Sequence, residues 1–175
     1  MEEIETGALR QGDLIGDVHM LGVINPGGIQ YITGGKGESH VGWIVNTPPI
    51  YGEAVVLSHS CEIAPENRIK VTGIILAPIR DVETATEADK VQELIDSNLI
   101  EEKTEASYLK YFYLEPHEKL PHRRGSVVDF SKCFSVRKNF YGRLLDQKKL
   151  QMRPDIAQSL ALKLALYFHR QQDAK

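Results

Sequence analysis

The residues that offer the most chemistry per unit length are Ser58, His59, Ser60, Cys61 and Glu62, which follow the apolar run Ala54-Val55-Val56-Leu57 without a break. A hydroxyl, an imidazole, a thiol and a carboxylate at the end of a core strand are well placed to act, because the strand fixes the backbone while the polar groups reach a surface or cleft. Three chemistries fit these residue types. Cleavage of RNA by its own 2′-hydroxyl needs a proton acceptor, a group to protonate the leaving oxygen, and cations for the phosphorane charge. His59, Glu62, His40 and Arg80 are of those types, and Ser58 joins them as a catalytic candidate. Nucleophilic catalysis would use Cys61, with His59 or His40 as base and Asp129 as orienter. Against it, neighbours on a continuing strand point apart and Glu62 opposes a thiolate. A zinc site would draw on His59, Cys61 and Glu62 with Cys133 or His117, although structural zinc prefers closer paired spacings. The bland alternative is that His59 simply continues an apolar face and is a hydrogen-bonded packing residue.

The elements that must position these groups follow from pattern. Short β-type runs read as Asp13 to Ile15, Met20 to Ile24, Ile29 to Thr33, Val41 to Val45, Ala54 to Ser58 and Ile69 to Ile79. Asn25-Pro26-Gly27-Gly28, Gly34-Gly35-Lys36-Gly37 and Thr47-Pro48-Pro49 punctuate them as turns. Alternation places Val55 and Leu57 on one face of their strand and Ala54, Val56 and Ser58 on the other. Asp13 after Gly12 reads as a turn residue that bonds the local backbone. A helix is expected over Thr84 to Asn98, capped by Thr84 with Glu87 three residues on. Tyr108 to Leu114 and Ser126 to Val136 read as further strands. The polar segment between them carries His117, His122, Arg123 and Arg124. Pro154 to Gln171 reads as an amphipathic helix, because Ile156, Leu160, Leu164 and Phe168 recur every four residues. That stripe must cover the sheet, pair with another helix or dimerise.

Composition bounds the class. At 175 residues, 42% apolar and 26% charged, the chain suits one domain with a core of its own. A net charge of −3 excludes a protein coated in positive charge, so any nucleic-acid surface must be local. Arg123, Arg124, Arg137, Lys138, Arg143, Lys148 and Lys149 concentrate cations in the second half, interleaved with Phe134, Phe140 and Tyr141. Cations that hold phosphates beside aromatics that stack on bases are the chemistry of single-strand binding, and solvated faces are the plain alternative. Nothing approaches the roughly 18 consecutive apolar residues of a membrane span, and Met1-Glu2-Glu3 is unlike a leader, so a cytoplasmic location is expected. Cys61 and Cys133 cannot form a disulfide framework, and Cys133 reads as a small core residue.

At Gly12-Asp13-Leu14-Ile15, Ala54-Val55-Val56-Leu57-Ser58 and Gly73-Ile74-Ile75-Leu76-Ala77-Pro78 the chain resembles the MazF/PemK-like family of toxin endoribonucleases, over roughly residues 10 to 80. The resemblance implies a small barrel of the Src-homology-3 type, usually dimeric, that cuts single-stranded RNA without a metal or other cofactor, with an antitoxin as protein partner. The chain departs from the family's pattern at Gly52-Glu53, where an arginine is usual, and at Ile79-Arg80, where a Ser or Thr follows the proline. Arg80 is then the nearest cation on the other side.

The expectation is a single α+β domain: a small antiparallel barrel over 10–80, an inserted helix over 84–98, added strands over 108–136 and a C-terminal helix over 154–171. Its expected function is that of a toxin-like or defence-associated RNA-interacting protein or metal-independent endoribonuclease. His59, Glu62, Arg80, Ser58 and Cys61 are the catalytic candidates, and Arg123, Arg124, Arg137 and Lys138 the candidates for binding nucleic acid. The alternative is a noncatalytic module for protein binding or dimerisation.

Overall fold

The computed structural model describes residues 7–20, 29–33, 41–45, 50–64, 73–99 and 107–173. His40 and the three expected Pro/Gly turns lie outside those residues. The fold is α+β, with strands β1 (Leu14–Met20), β2 (Ile29–Thr33), β3 (Val41–Val45), β4 (Ile50–Val56), β5 (Gly73–Asp81), β6 (Tyr111–Leu114), β7 (Ser126–Asp129), β8 (Phe134–Arg137) and β9 (Lys148–Leu150). Its helices are α1 (Ser60–Ile63), α2 (Val91–Asp96), α3 (Tyr141–Asp146) and α4 (Pro154–Asp173).

The main sheet runs in the order β6-β7-β5-β4-β1-β9, all pairs antiparallel, with β8 also paired to β5; β2 and β3 form a ladder of their own. β5 is the hub. Its first half, Gly73–Leu76, pairs with β8, and its last residues, Ile79–Asp81, pair with β7. No ladder among the described residues joins β6 to β9, so the sheet is open where the sequence led us to expect a closed barrel.

Two apolar layers sandwich the sheet, and the alternation along β4 sorts residues between them as its pattern requires. Val55 and Leu57 enter one core with Leu14, Ala77, Phe112, Val128 and Phe130, which α4 covers through Leu160, Ile156, Leu164 and Tyr167. Ala54 and Val56 enter the other with Ile15, Ile74 and Leu76, capped by Ile63 of α1 and Leu144 of α3. A third cluster fastens α2 to β6 and β7 through Leu94, Tyr111, Tyr113 and Val127. Three residues of the expected stripe on α4, Ile156, Leu160 and Leu164, therefore cover the sheet, joined by Tyr167, while the fourth, Phe168, faces outward with Leu162, 48% and 56% exposed.

Several expected boundaries shift for local reasons. β1 runs past the expected end at Ile15 to Met20 through a bulge at Gly16-Asp17, with Asp17 at φ 51° and the register broken between Ile15 and Val18; of the expected strand Met20 to Ile24 only Met20 lies among the described residues. The expected strand over Ser126 to Val136 is two, because the Asp129 carboxylate accepts from Ser131 N at 3.0 Å and caps a 3₁₀ turn over Phe130–Lys132. The capping box at Thr84 does not form. Asp81 caps a 3₁₀ turn there through Glu83 N, Thr84 donates its hydroxyl to the Asp81 carbonyl, and the α-helix begins only at Val91.

Asp13 accepts from the Arg10 backbone at 2.7 Å, the local bond its turn position calls for. It also has a partner the sequence did not reveal: Lys148 Nζ lies 2.9 Å from Oδ2, with side chains 2% and 0% exposed. Burial raises the Asp13 carboxyl above the usual carboxylate range, against the pull of Lys148. Lys149 is likewise engaged, 3.1 Å from Glu53. Both lysines therefore leave the expected basic patch.

Candidate functional site

The pentad does not prolong β4. Leu57 N still donates to the Ile75 carbonyl at 2.8 Å, but His59 turns to φ −62°, ψ 140° and becomes the N-cap of the single turn α1. Ile63, fully buried among Ile74, Leu76 and Leu144, anchors that turn to the core. Gln11 stitches it to the N-terminal segment, donating its backbone N–H to Ser60 Oγ at 3.1 Å and its amide to the Leu57 carbonyl at 2.8 Å.

This geometry divides the candidates. Ser58 is buried and its hydroxyl accepts from Ile75 N at 2.8 Å, which commits it to the fold. His59, Cys61 and Glu62 are exposed. His59 Nδ1 lies 2.9 Å from Cys61 Sγ and accepts from Cys61 N at 3.4 Å. Because Nδ1 accepts from the backbone, the neutral ring carries its proton on Nε2, and the thiol donates to Nδ1. A strand would have kept these side chains apart. The turn brings them together.

Lys138, in the 3₁₀ turn that follows β8, donates its Nζ to the Glu62 carbonyl at 3.2 Å. Arg137, exposed at the end of β8, has no ion-pair partner among the described residues. Phe140, in the same turn, is 43% exposed. The other two aromatics expected to stack are occupied: Phe134 packs into the second core, and Tyr141 accepts from Leu9 N at 2.9 Å through its hydroxyl.

Arg80 is elsewhere. It lies five residues along β5 from Ile75, about 17 Å at strand spacing, and its guanidinium is 2.9 Å from the buried Asp129 carboxylate. The RNA-cleaving set of His59, Glu62 and Arg80 is therefore not gathered in one place. Nor is a Cys61-His59-Asp129 triad, because Asp129 is held by Arg80 and Ser131. Cys133 is half-buried and donates its thiol to the Phe130 carbonyl at 3.0 Å; burial, with Asp129 nearby, pushes that thiol up to about 11. His117 accepts from Lys119 N at 3.2 Å. Among the described residues, no cluster of three or more His, Cys, Asp or Glu side chains is arranged to hold a metal.

Arg123 and Arg124 line an open cleft of about 370 Å³ with Asp81 and Glu83. Arg124 is 2.6 Å from Glu83, and His122 Nδ1 is 3.4 Å from Asp81. Gly125, which follows these arginines, turns the chain with φ +116° at a position where a Cβ would come within 2.6 Å of Tyr113 Oη. Because Arg137 pairs with Gly73 and Ser126 with Asp81, the two basic pairs sit at opposite ends of β5, about 26 Å apart along the strand.

Sequence reasoning missed the meeting of Lys138 with α1. The one available signal was Ile63, an apolar residue after the polar pentad, which marks a turn that folds back on the core. Compared with known proteins, the chain matches no family model and no curated protein.

Proposed function

We propose that the protein is a toxin-like or defence-associated RNA-interacting protein that engages single-stranded RNA where α1 meets the end of β8. The observation that carries this reading is the 3.2 Å bond from Lys138 Nζ to the Glu62 carbonyl, which sets a cation against the turn that His59 caps, with Arg137 its neighbour in the chain. At that end Lys138 bonds a backbone carbonyl, and neither it nor Arg137 has an ion-pair partner among the described residues. In the cleft, Arg123 and Arg124 share the lining with two carboxylates, those of Asp81 and Glu83, and Arg124 is paired with Glu83. Phosphate prefers the less neutralised pair, and Phe140 offers a base a ring to stack on. His59 Nε2 and the Glu62 carboxylate are the groups that would move protons in a cleavage step, with Lys138 rather than Arg80 as the phosphate cation. The resemblance of the sequence over residues 10–80 to the MazF/PemK-like family supports the same substrate class.

Titration of a fluorescent single-stranded RNA should show saturable binding that weakens steeply with salt. Substituting Arg137→Ala and Lys138→Ala together should lower the salt slope by about 1.4, the single-strand value for two phosphates no longer neutralised. Binding that is indifferent to those substitutions would overturn the assignment. Cleavage is tested separately with a mixed RNA pool and chelator: chelator-resistant products that disappear in His59→Ala support an endoribonuclease, and intact RNA at enzyme excess leaves a binding protein.

The 2.9 Å contact between Cys61 Sγ and His59 Nδ1 favours a second reading, in which the thiol passes its proton to the imidazole and attacks an acyl carbonyl, forming a thioester while the bond to an alcohol or amine leaving group breaks and that group takes the imidazolium proton. Faster alkylation of Cys61 than of a free thiol at pH 7, slowed by His59→Ala, would support it. Equal rates would remove it.

A further inference from the structure

Lys148 and Lys163 are both buried in this fold, and they are accommodated by opposite means. Lys148 faces the Asp13 carboxylate and donates to Gln151 Oε1 at 2.9 Å, so its charge has a counter-charge. Lys163, in the middle of α4, is fully buried and has none among the described residues. Its Nζ donates to Ser97 Oγ at 2.6 Å, approaches Asn98 Oδ1 at 3.3 Å and lies 6.0 Å from the centroid of the Phe112 ring. Both acceptors are already employed. Ser97 donates its hydroxyl to the Leu94 carbonyl at 2.6 Å, and Asn98 exchanges two hydrogen bonds with the Tyr113 backbone, at 2.8 and 3.0 Å.

The groups that face Lys163 from each neighbouring element are neutral. The turn over Ser97–Leu99 (a 3₁₀ turn after α2) contributes a hydroxyl and an amide, β6 contributes the Phe112 ring, and the flanking residues of α4 are Leu160 and Leu164. The titratable groups around it are engaged elsewhere: the Tyr113 hydroxyl lies against Gly125, Lys110 sits over the Tyr111 ring, Tyr167 of α4 packs on Phe130 towards Cys133 and Asp129, Glu93 accepts from Tyr108 at 3.5 Å, and Asp129 holds Arg80. Burial alone lowers the Lys163 amine to about 7. An ammonium at this spot would have three donors for two shared acceptors and no counter-ion, which only water could remedy.

We infer that α4 is docked on β6 and the Ser97–Leu99 turn by an uncharged lysine, so that proton uptake by Lys163 loosens the seat of the helix. The sign follows from linkage. The folded amine titrates below the unfolded one, so the opened state holds the extra proton from about pH 7 upward to the ordinary lysine range. Docking therefore strengthens as pH rises through that window and is without this contribution below it.

Hydrogen exchange of the full chain, read by mass spectrometry from pH 6.5 to 9 and corrected for intrinsic rate, tests the inference. Peptides from α4 and from 97–99 should be less protected than those from β4 and β5 at pH 7, and should gain up to about tenfold protection per pH unit above it. In Lys163→Met the gain should fall below twofold, because methionine keeps the contact with Phe112 and leaves Ser97 and Asn98 satisfied by Leu94 and Tyr113. A flat profile in the natural protein would overturn the inference. So would an equal slope in the variant, protection of α4 equal to that of the central strands, or failure of the variant to fold.

Discussion

The two ends of β5 carry similar residue types and use them differently. At its last residues, cations meet acids: Arg80 holds Asp129, Arg124 holds Glu83, and His122 stands beside Asp81. At its first residues, Lys138 binds a backbone carbonyl of the turn that holds the His59–Cys61 contact, and Arg137 is exposed without an ion pair among the described residues. A cation that already has a carboxylate gives up that partner to bind phosphate, and a free one does not. The difference separates a region that supports the fold from one available to a ligand.

The largest expected effect lies at the supporting end. Asp129 is 1% exposed, accepts from Arg80 and caps the turn between β7 and β8, so Asp129→Ala should destabilise the protein by about 3 kcal/mol. Urea unfolding measures this. A loss of RNA affinity at unchanged stability would instead place Arg80 and Asp129 in the binding surface. Next comes Ser58→Ala, which leaves the Ile75 N–H without its partner and should cost about 1–2 kcal/mol. If that variant kept its stability and lost only RNA cleavage, Ser58 would belong with the chemistry.

Much of the fold was legible because hydrophobic alternation is a local signal. The faces of β4, the bounds of β2 and β3 and the start of α4 at Pro154 all followed from period and punctuation. The candidate site was only half legible. That His59 and Cys61 touch depends on where β4 stops, and a polar run after a strand does not announce a turn. That Arg80 stands apart depends on antiparallel register, which is set by partners distant in sequence. Lys163 drew no expectation from the sequence, although it lies three residues after Leu160, at the spacing of the covered face. That spacing was the overlooked sign.

Smaller effects sharpen the contrast. Substituting Arg137→Ala with Lys138→Ala should weaken RNA binding by about 1–2 kcal/mol at low salt, while Arg123→Ala with Arg124→Ala should change it by less than a third of that. Equal losses would erase the distinction between the two ends. Smallest of all, Arg124→Ala should alter stability by no more than about 0.5 kcal/mol, since its bond to Glu83 is solvent-exposed, at 77% and 50%. A larger change in the thermal midpoint would show that the cleft is braced by that pair.

Ultraviolet cross-linking of a single-stranded RNA to the intact protein, with the adducts mapped by mass spectrometry, tests the central claim most directly. Adducts on residues 59–62 and 137–141 are the predicted result. Adducts confined to residues 80–83 and 122–125, or none at saturating RNA, would contradict it.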